Sequence, residues 1–161
     1  MKKLVSTSNS VPLGIVRLML GLVMCPHGAQ KMLGWFGGGG FNATMSGFQH
    51  QGIPAVLAFL AIAAEFFGGL GLILGCLSRI AAFGILCNML VAIVAVHARN
   101  GLFMNWAGAK AGEGFEYHLL AIAMACAVVI GGGGAFSTDR ALSALVRLSG
   151  RRAQAWLITM T

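Results

Sequence analysis

Four long apolar segments, separated by polar or glycine-rich stretches, dominate the chain. They cover about residues 12–33, 54–77, 79–98 and 116–134, each near the roughly 20 residues an α-helix needs to cross about 30 Å of hydrocarbon. Pro12 and Pro54 open the first two, in the first turn where a helix accepts proline. Only Leu77, Ser78 and Arg79 separate the second segment from the third, so these two predict a tight antiparallel hairpin. Gly14, Gly21 and Gly28 recur along the first segment. Ala58, Ala61, Gly68, Gly69 and Cys76 fall near the face of Glu65 on the second. Small residues of this kind let helices approach where lipid supplies no hydrophobic drive. The pattern predicts an all-α, integral membrane four-helix bundle forming a single membrane domain over residues 1–161. The segments around 34–53 and 99–115 read as loops. In 137–150, Leu142, Leu145, Val146 and Leu148 alternate with Arg140 and Arg147. That stretch reads as a short amphipathic helix on the membrane surface, capped by Ser137 or Thr138.

Composition narrows the class. Hydrophobic residues make up 58% of the chain and charged residues 9%, against roughly 45–50% and 25% in ordinary soluble domains. So little charge cannot clothe a soluble globule, and the mean hydropathy of +0.84 excludes intrinsic disorder. The formal net charge of +7 needs no polyanion: basic residues flank membrane spans on the cytoplasmic side. No nucleic-acid-binding signature is present. With both termini inside, Lys2, Lys3, Arg79, Arg140, Arg147, Arg151 and Arg152 lie in the cytoplasm, and Lys31, Arg99 and Lys110 lie outside. This predicts a multi-pass inner (plasma) membrane protein with both termini cytoplasmic. Cys25, Cys76, Cys87 and Cys126 sit inside apolar runs without a C-x-x-C pair and read as small buried apolar residues.

Ionisable groups within spans are expensive and usually face a bundle interior. Here they are Arg17, His27 and Glu65, with His97, Glu116 and His118 near span ends. At about 1.5 Å per residue, Glu65 and His27 share a level slightly outside the midplane, and the other three lie further out. Arg17, His27 and Lys31 fall roughly along one helical sector. His97 is about half a rotation from the Asn88 face, so it joins only if the helix end unwinds or the ring reaches sideways. Three readings follow. In the first, His27, Lys31, Glu65, His97, Glu116 and His118 line a polar pocket for a small molecule such as a quinone. In the second, the polar groups only lock helices together, pairing Glu65 with His27 or Arg17; Arg17 is then a structural intramembrane charge. In the third, His27, His97 and His118 ligate a transition metal, although no H-x-x-x-H or E-x-x-H pattern is present. His50 reads as a solvated loop residue, and the scattered methionines as core filling.

The residues also carry a resemblance. RLMLGLVMCPHGAQKMLGWFGGGG in the first span resembles the DoxX family of small membrane proteins. So do AAEFFGGLGLILGCLSRIAAFGILCNMLVAIVAVH and GFEYHLLAIAMACAVVIGGGGAFSTDRAL. The likeness spans about 11–142, and its matching polar residues are Arg17, His27, Lys31, Glu65, Arg79, His97, Glu116 and Asp139. The glycine run 131–134 departs from it, standing where a Gly-Pro-Gly-like turn is expected. The resemblance implies a four-helix inner-membrane protein linked to quinone handling and to oxidative or thiol stress, in association with a redox-enzyme partner subunit.

On this footing the chain is expected to bind a quinone or another small apolar redox partner, with His27 and Glu65 handling protons and Lys31 steering an oxyanion. It carries no flavin, haem or nicotinamide fingerprint, so electrons would come from a partner subunit. The alternatives are a non-catalytic scaffold that docks a redox enzyme through its basic C-terminal helix, and a transporter, which would require a homo-oligomer.

Overall fold

The computed structural model describes residues 4–144. Within them every regular element is helical. In chain order they are α1 (Val11–Leu33), α2 (Gly40–His50), α3 (Ala55–Leu74), α4 (Ser78–Ala92) and α5 (Glu116–Gly131). The path of α4 continues through a π-helical turn, Ile93–His97, and a 3₁₀ turn, Ala98–Asn100. Val11–Leu33, Ala55–Leu74 and Ser78–Asn100 are long and apolar enough to cross a membrane. The shorter apolar α5 has 16 residues, about 24 Å of rise.

The helices α1, α3, α4 and α5 close a cycle in which α1 packs on α3, α3 on α4, α4 on α5 and α5 on α1. The core at its centre is made of Leu20, Met24, Leu72, Ala82, Ile85, Met89, Ala121, Ala125 and Val128. The outside is apolar as well: Phe83, Val94, Leu120 and Ile130 are exposed. A surface of that kind is stable against lipid tails rather than water. The chain is therefore a multi-pass membrane bundle. The α1–α3 contact depends on small residues. A Cβ on Gly69 would stand 2.6 Å from the Cys25 backbone nitrogen, so the two helix backbones nearly touch.

Four sequence expectations are changed or narrowed here. Residues 40–50 are helical rather than loop. This α2 buries none of its residues in the bundle; it meets α3 through an edge contact of Phe41 on Phe59, ring centroids 6.3 Å apart. It lacks the length and apolarity of a span, so hydropathy alone passed over it. Second, α5 ends at Gly131, and the chain continues as a buried irregular segment, Gly132 to Ala135. Non-helical backbone at that depth requires internal partners, and finds them: Gly134 N donates to Thr7 Oγ1 at 2.7 Å and Ala135 N to Ser10 O at 2.9 Å. Third, Ser137 rather than Thr138 caps the following turn, accepting from Arg140 N at 3.3 Å. Residues 138–144 are helical, and the rest of the expected 137–150 amphipathic helix lies outside the described residues. Fourth, Cys76 and Cys87 are exposed and Cys25 and Cys126 only part-buried. Lipid is as apolar as a core, so an apolar run does not tell the two apart.

Candidate functional site

The bundle carries two polar regions, one at each end. The first surrounds Arg17, which is 3% exposed. Its Nε donates to Gly133 O at 2.7 Å, one Nη to Leu72 O and to Ile73 O at 3.0 Å, and the other to Phe136 O at 3.4 Å. Leu72 and Ile73 belong to the last turn of α3, where carbonyls run short of intrahelical donors; Leu72 O also accepts from the capping Gly75 N at 3.2 Å. A guanidinium there satisfies them and complements the negative end of the helix dipole. Arg79 does the same for α5, donating to Val129 O and to Ile130 O at 2.8 Å. Asp139, 1% exposed, accepts from Leu77 N and Ser78 N, both at 2.8 Å, and so caps the start of α4. Gly75, with φ 67°, makes the turn between α3 and α4. A Cβ on it would meet Ser137 Cβ at 2.5 Å. Thr138 Oγ1 and Asp139 N both donate to its carbonyl at 2.9 Å.

The second region reaches from the middle of the bundle, at Glu65 and Asn88, to the other end, where α1 and α4 finish and α3 and α5 begin. Glu65, on α3, is buried. Lys31 Nζ, near the end of α1, lies 2.5 Å from both of its carboxylate oxygens, and Asn88 Nδ2, on α4, donates to Oε1 at 2.7 Å. The partner of Glu65 is thus Lys31, not His27 or Arg17. Lys31 is occupied by that carboxylate and does not stand free to steer an oxyanion. Asn88, a lone amide inside an apolar run, is the signal that points to this role. His118, in the first turn of α5, is 6% exposed. Its ring packs on that of His97, centroids 4.2 Å apart, and on Tyr117 at 5.4 Å. Tyr117 in turn lies 6.0 Å from His27. Both Tyr117 Oη and His118 Nδ1 are buried without a hydrogen-bond partner among the described residues.

The π-helical turn is what brings His97 in. It inserts one extra residue per turn, which rotates the end of α4 and turns His97 onto His118. His97 Nδ1 then lies 2.9 Å from Glu113 O, which also accepts from Asn100 Nδ2 at 2.9 Å. A carbonyl only accepts, so Nδ1 carries the proton and Nε2 is the basic nitrogen.

Two expected members stand apart. Glu116 serves the α4–α5 loop: its Oε1 accepts from Met104 N at 3.0 Å and Trp106 Nε1 at 3.3 Å. Two positions before His118 on one helix, it faces elsewhere. His27 is exposed on the outer surface of α1. At about 100° per residue it lies some 80° from the Arg17 direction, and Gly28 takes the buried position instead. His27 still approaches Tyr117, from outside. The three histidines do not converge as metal ligands either: among the described residues no group of three or more His, Cys, Asp or Glu could hold a metal ion. His50 is exposed at the end of α2.

The DoxX family model matches residues 13–98, more than half of the chain. The protein belongs to the DoxX family. The matched stretch carries Arg17, Lys31, Glu65, Asn88 and His97, whereas Tyr117, His118 and Asp139 lie beyond it. No curated protein and no solved structure matches this DoxX-family chain.

Proposed function

We propose that this DoxX-family protein binds a small, neutral, membrane-soluble redox molecule of the quinone class in the region of Lys31, Glu65, Asn88, Tyr117 and His118. The observation that carries the reading is the pair of buried, unpartnered groups, Tyr117 Oη and His118 Nδ1. A buried polar atom left unsatisfied costs about 1–3 kcal/mol, and a ligand oxygen placed against it removes that cost. The carboxylate beside them is already neutralised by Lys31, which favours an uncharged ligand. His27, exposed on a span next to Tyr117, marks the side from which a molecule dissolved in lipid would approach.

A bound quinone would supply two-electron redox chemistry, with electrons from a partner enzyme. The chain's own part is to hold and orient it. The Tyr117 hydroxyl would donate to a ligand oxygen, His118 would provide a second polar contact, and the Lys31–Glu65–Asn88 triad would keep the floor of the site rigid. The Lys and Arg distribution supports cytoplasmic termini, with the site in the outer half of the bilayer.

The test is direct. The full chain, purified gently in lipid nanodiscs, is extracted and its non-protein mass identified; binding of a short-tailed quinone is then titrated. A retained quinone, with Tyr117→Phe weakening binding about tenfold, is the expected result. Neither retention nor saturable binding would end this reading.

A further inference from the structure

His97, His118 and Tyr117 do more than line a wall. We infer that they form a proton route from the aqueous face of the α4–α5 loop to the Lys31–Glu65 pair, with His97 as the entry group. The inference deepens the proposed binding site and rests on it, because a ligand that gains or loses protons inside a bundle needs a path for them.

Three observations carry it. The rings form a continuous row, with centroids 4.2 Å apart from His97 to His118 and 5.4 Å from His118 to Tyr117. No hydrogen bond joins the polar atoms of one ring to those of the next among the described residues, so each hand-over runs through one bridging water. The tautomer of His97 is set by the Glu113 carbonyl, which leaves Nε2 free to pick up a proton at a part-exposed position. At the inner end, His118 Nδ1 and Tyr117 Oη have no competing partner among the described residues, so neither is trapped in a fixed bond. The charged and titratable groups facing the row are His27 and Lys31 from α1 and Glu65 from α3.

Each step balances. A proton from water adds to His97 Nε2, while the Nδ1–H remains on the Glu113 carbonyl. That new N–H bond breaks as the proton passes to one ring nitrogen of His118, whose other nitrogen releases a proton inward. Tyr117 accepts it on its oxygen and gives up its own hydroxyl proton to a further bridging water, which passes one of its protons on to the Glu65 carboxylate. One proton enters, one is delivered, and no electron moves. The π-helical turn fits this role, since without its extra residue His97 would point about 100° away and the row would lack its first member.

The experiment uses the full chain in nanodiscs with ¹⁵N-labelled histidine and no quinone. Exchange of the His118 ring N–H with water is read by NMR. Exchange is expected to be fast in the unaltered chain despite the burial of the ring, about a hundredfold slower in His97→Phe, and restored in His97→Ala by added imidazole. An equal rate in the unaltered chain and in His97→Phe overturns the inference. The inner half is read in a Lys31→Met background, where Glu65 loses its counter-charge and takes a proton. Deuterium exchange of its carboxyl band in the infrared should slow on adding His118→Phe; an unchanged rate overturns the route as well. If Lys31→Met does not fold, the NMR measurement decides alone. Neither readout contains a quinone, so a failure of quinone binding and a failure of the proton route are told apart.

Discussion

The two polar ends of this bundle spend their charges differently. Around Arg17, cations meet backbone carbonyls: Arg17 closes the end of α3 and the irregular segment after α5, Arg79 closes α5, and Asp139 caps α4. At the other end a side-chain ion pair sits beside side chains whose polar atoms are unpartnered. The first end does not wholly lack such atoms, since Ser78 Oγ and Arg79 Nε are also unpartnered. The difference is in what the bonds hold. At the Arg17 end they terminate helices, and losing one frays a helix inside the membrane. At the Glu65 end they bridge helices that are already complete, so groups can change partners without unravelling backbone. Structural charge and candidate chemistry can thus share one small apolar chain because they sit at opposite ends of it.

The comparison breaks most readily at Arg17. Replacing it by Met leaves the Gly133 and Ile73 carbonyls without a donor among the described residues, at about 1–3 kcal/mol each. Arg17→Met should therefore lower stability by about 3–5 kcal/mol, read as loss of folded protein in detergent unfolding. A near-neutral result would mean that the carbonyls find other partners and that this end is not a lock. Glu65→Gln should cost less, about 2 kcal/mol, because Lys31 keeps part of its solvent contact at 31% exposure and breaking a fully buried pair is what costs 3–5 kcal/mol. Asp139→Asn retains one acceptor oxygen but turns its NH2 toward the second backbone N–H, losing one bond and weakening the other, and should cost about 1–2 kcal/mol by the same unfolding assay. Tyr117→Phe should go the other way. Removing an unpartnered buried hydroxyl should leave the ligand-free protein unchanged or more stable by up to about 1 kcal/mol, while quinone binding weakens. Loss of both stability and binding would mean that the hydroxyl has a structural partner. The smallest effect is expected at Glu116→Gln, within about 0.5 kcal/mol globally, with a local change in Trp106 fluorescence as its amide contacts loosen.

Much of the fold was legible because a bilayer imposes a simple code. Long apolar runs, proline in a first turn and a three-residue connection allow few alternatives. The importance of Glu65 was legible on the same ground, since a carboxylate inside an apolar helix must find a partner. Which partner it finds was not. His27 and Lys31 are four residues apart on one helix, and only the packed geometry of α1 against α3 selects Lys31. Asn88 served in the sequence only to mark a helix face, and Tyr117 only as part of a family-like segment, because a neutral amide and a phenol are ordinary in a span. Their roles arise from neighbours on other helices.

Sequence by itself determined that this is a helical membrane protein, roughly where its helices run, and that its few intramembrane charges matter. Those conclusions rest on transfer free energies, which are properties of single residues and short windows. Tertiary structure decided that His27 faces outward, that Glu116 holds a loop, and that a π-helical turn carries His97 onto His118. It also decided that Arg17 and Asp139 close helix ends while Glu65 bridges three helices. These outcomes depend on helix phase and on contacts between distant segments, where one residue of register moves a side chain by about 100°. No local pattern encodes that angle; it is set when the helices pack.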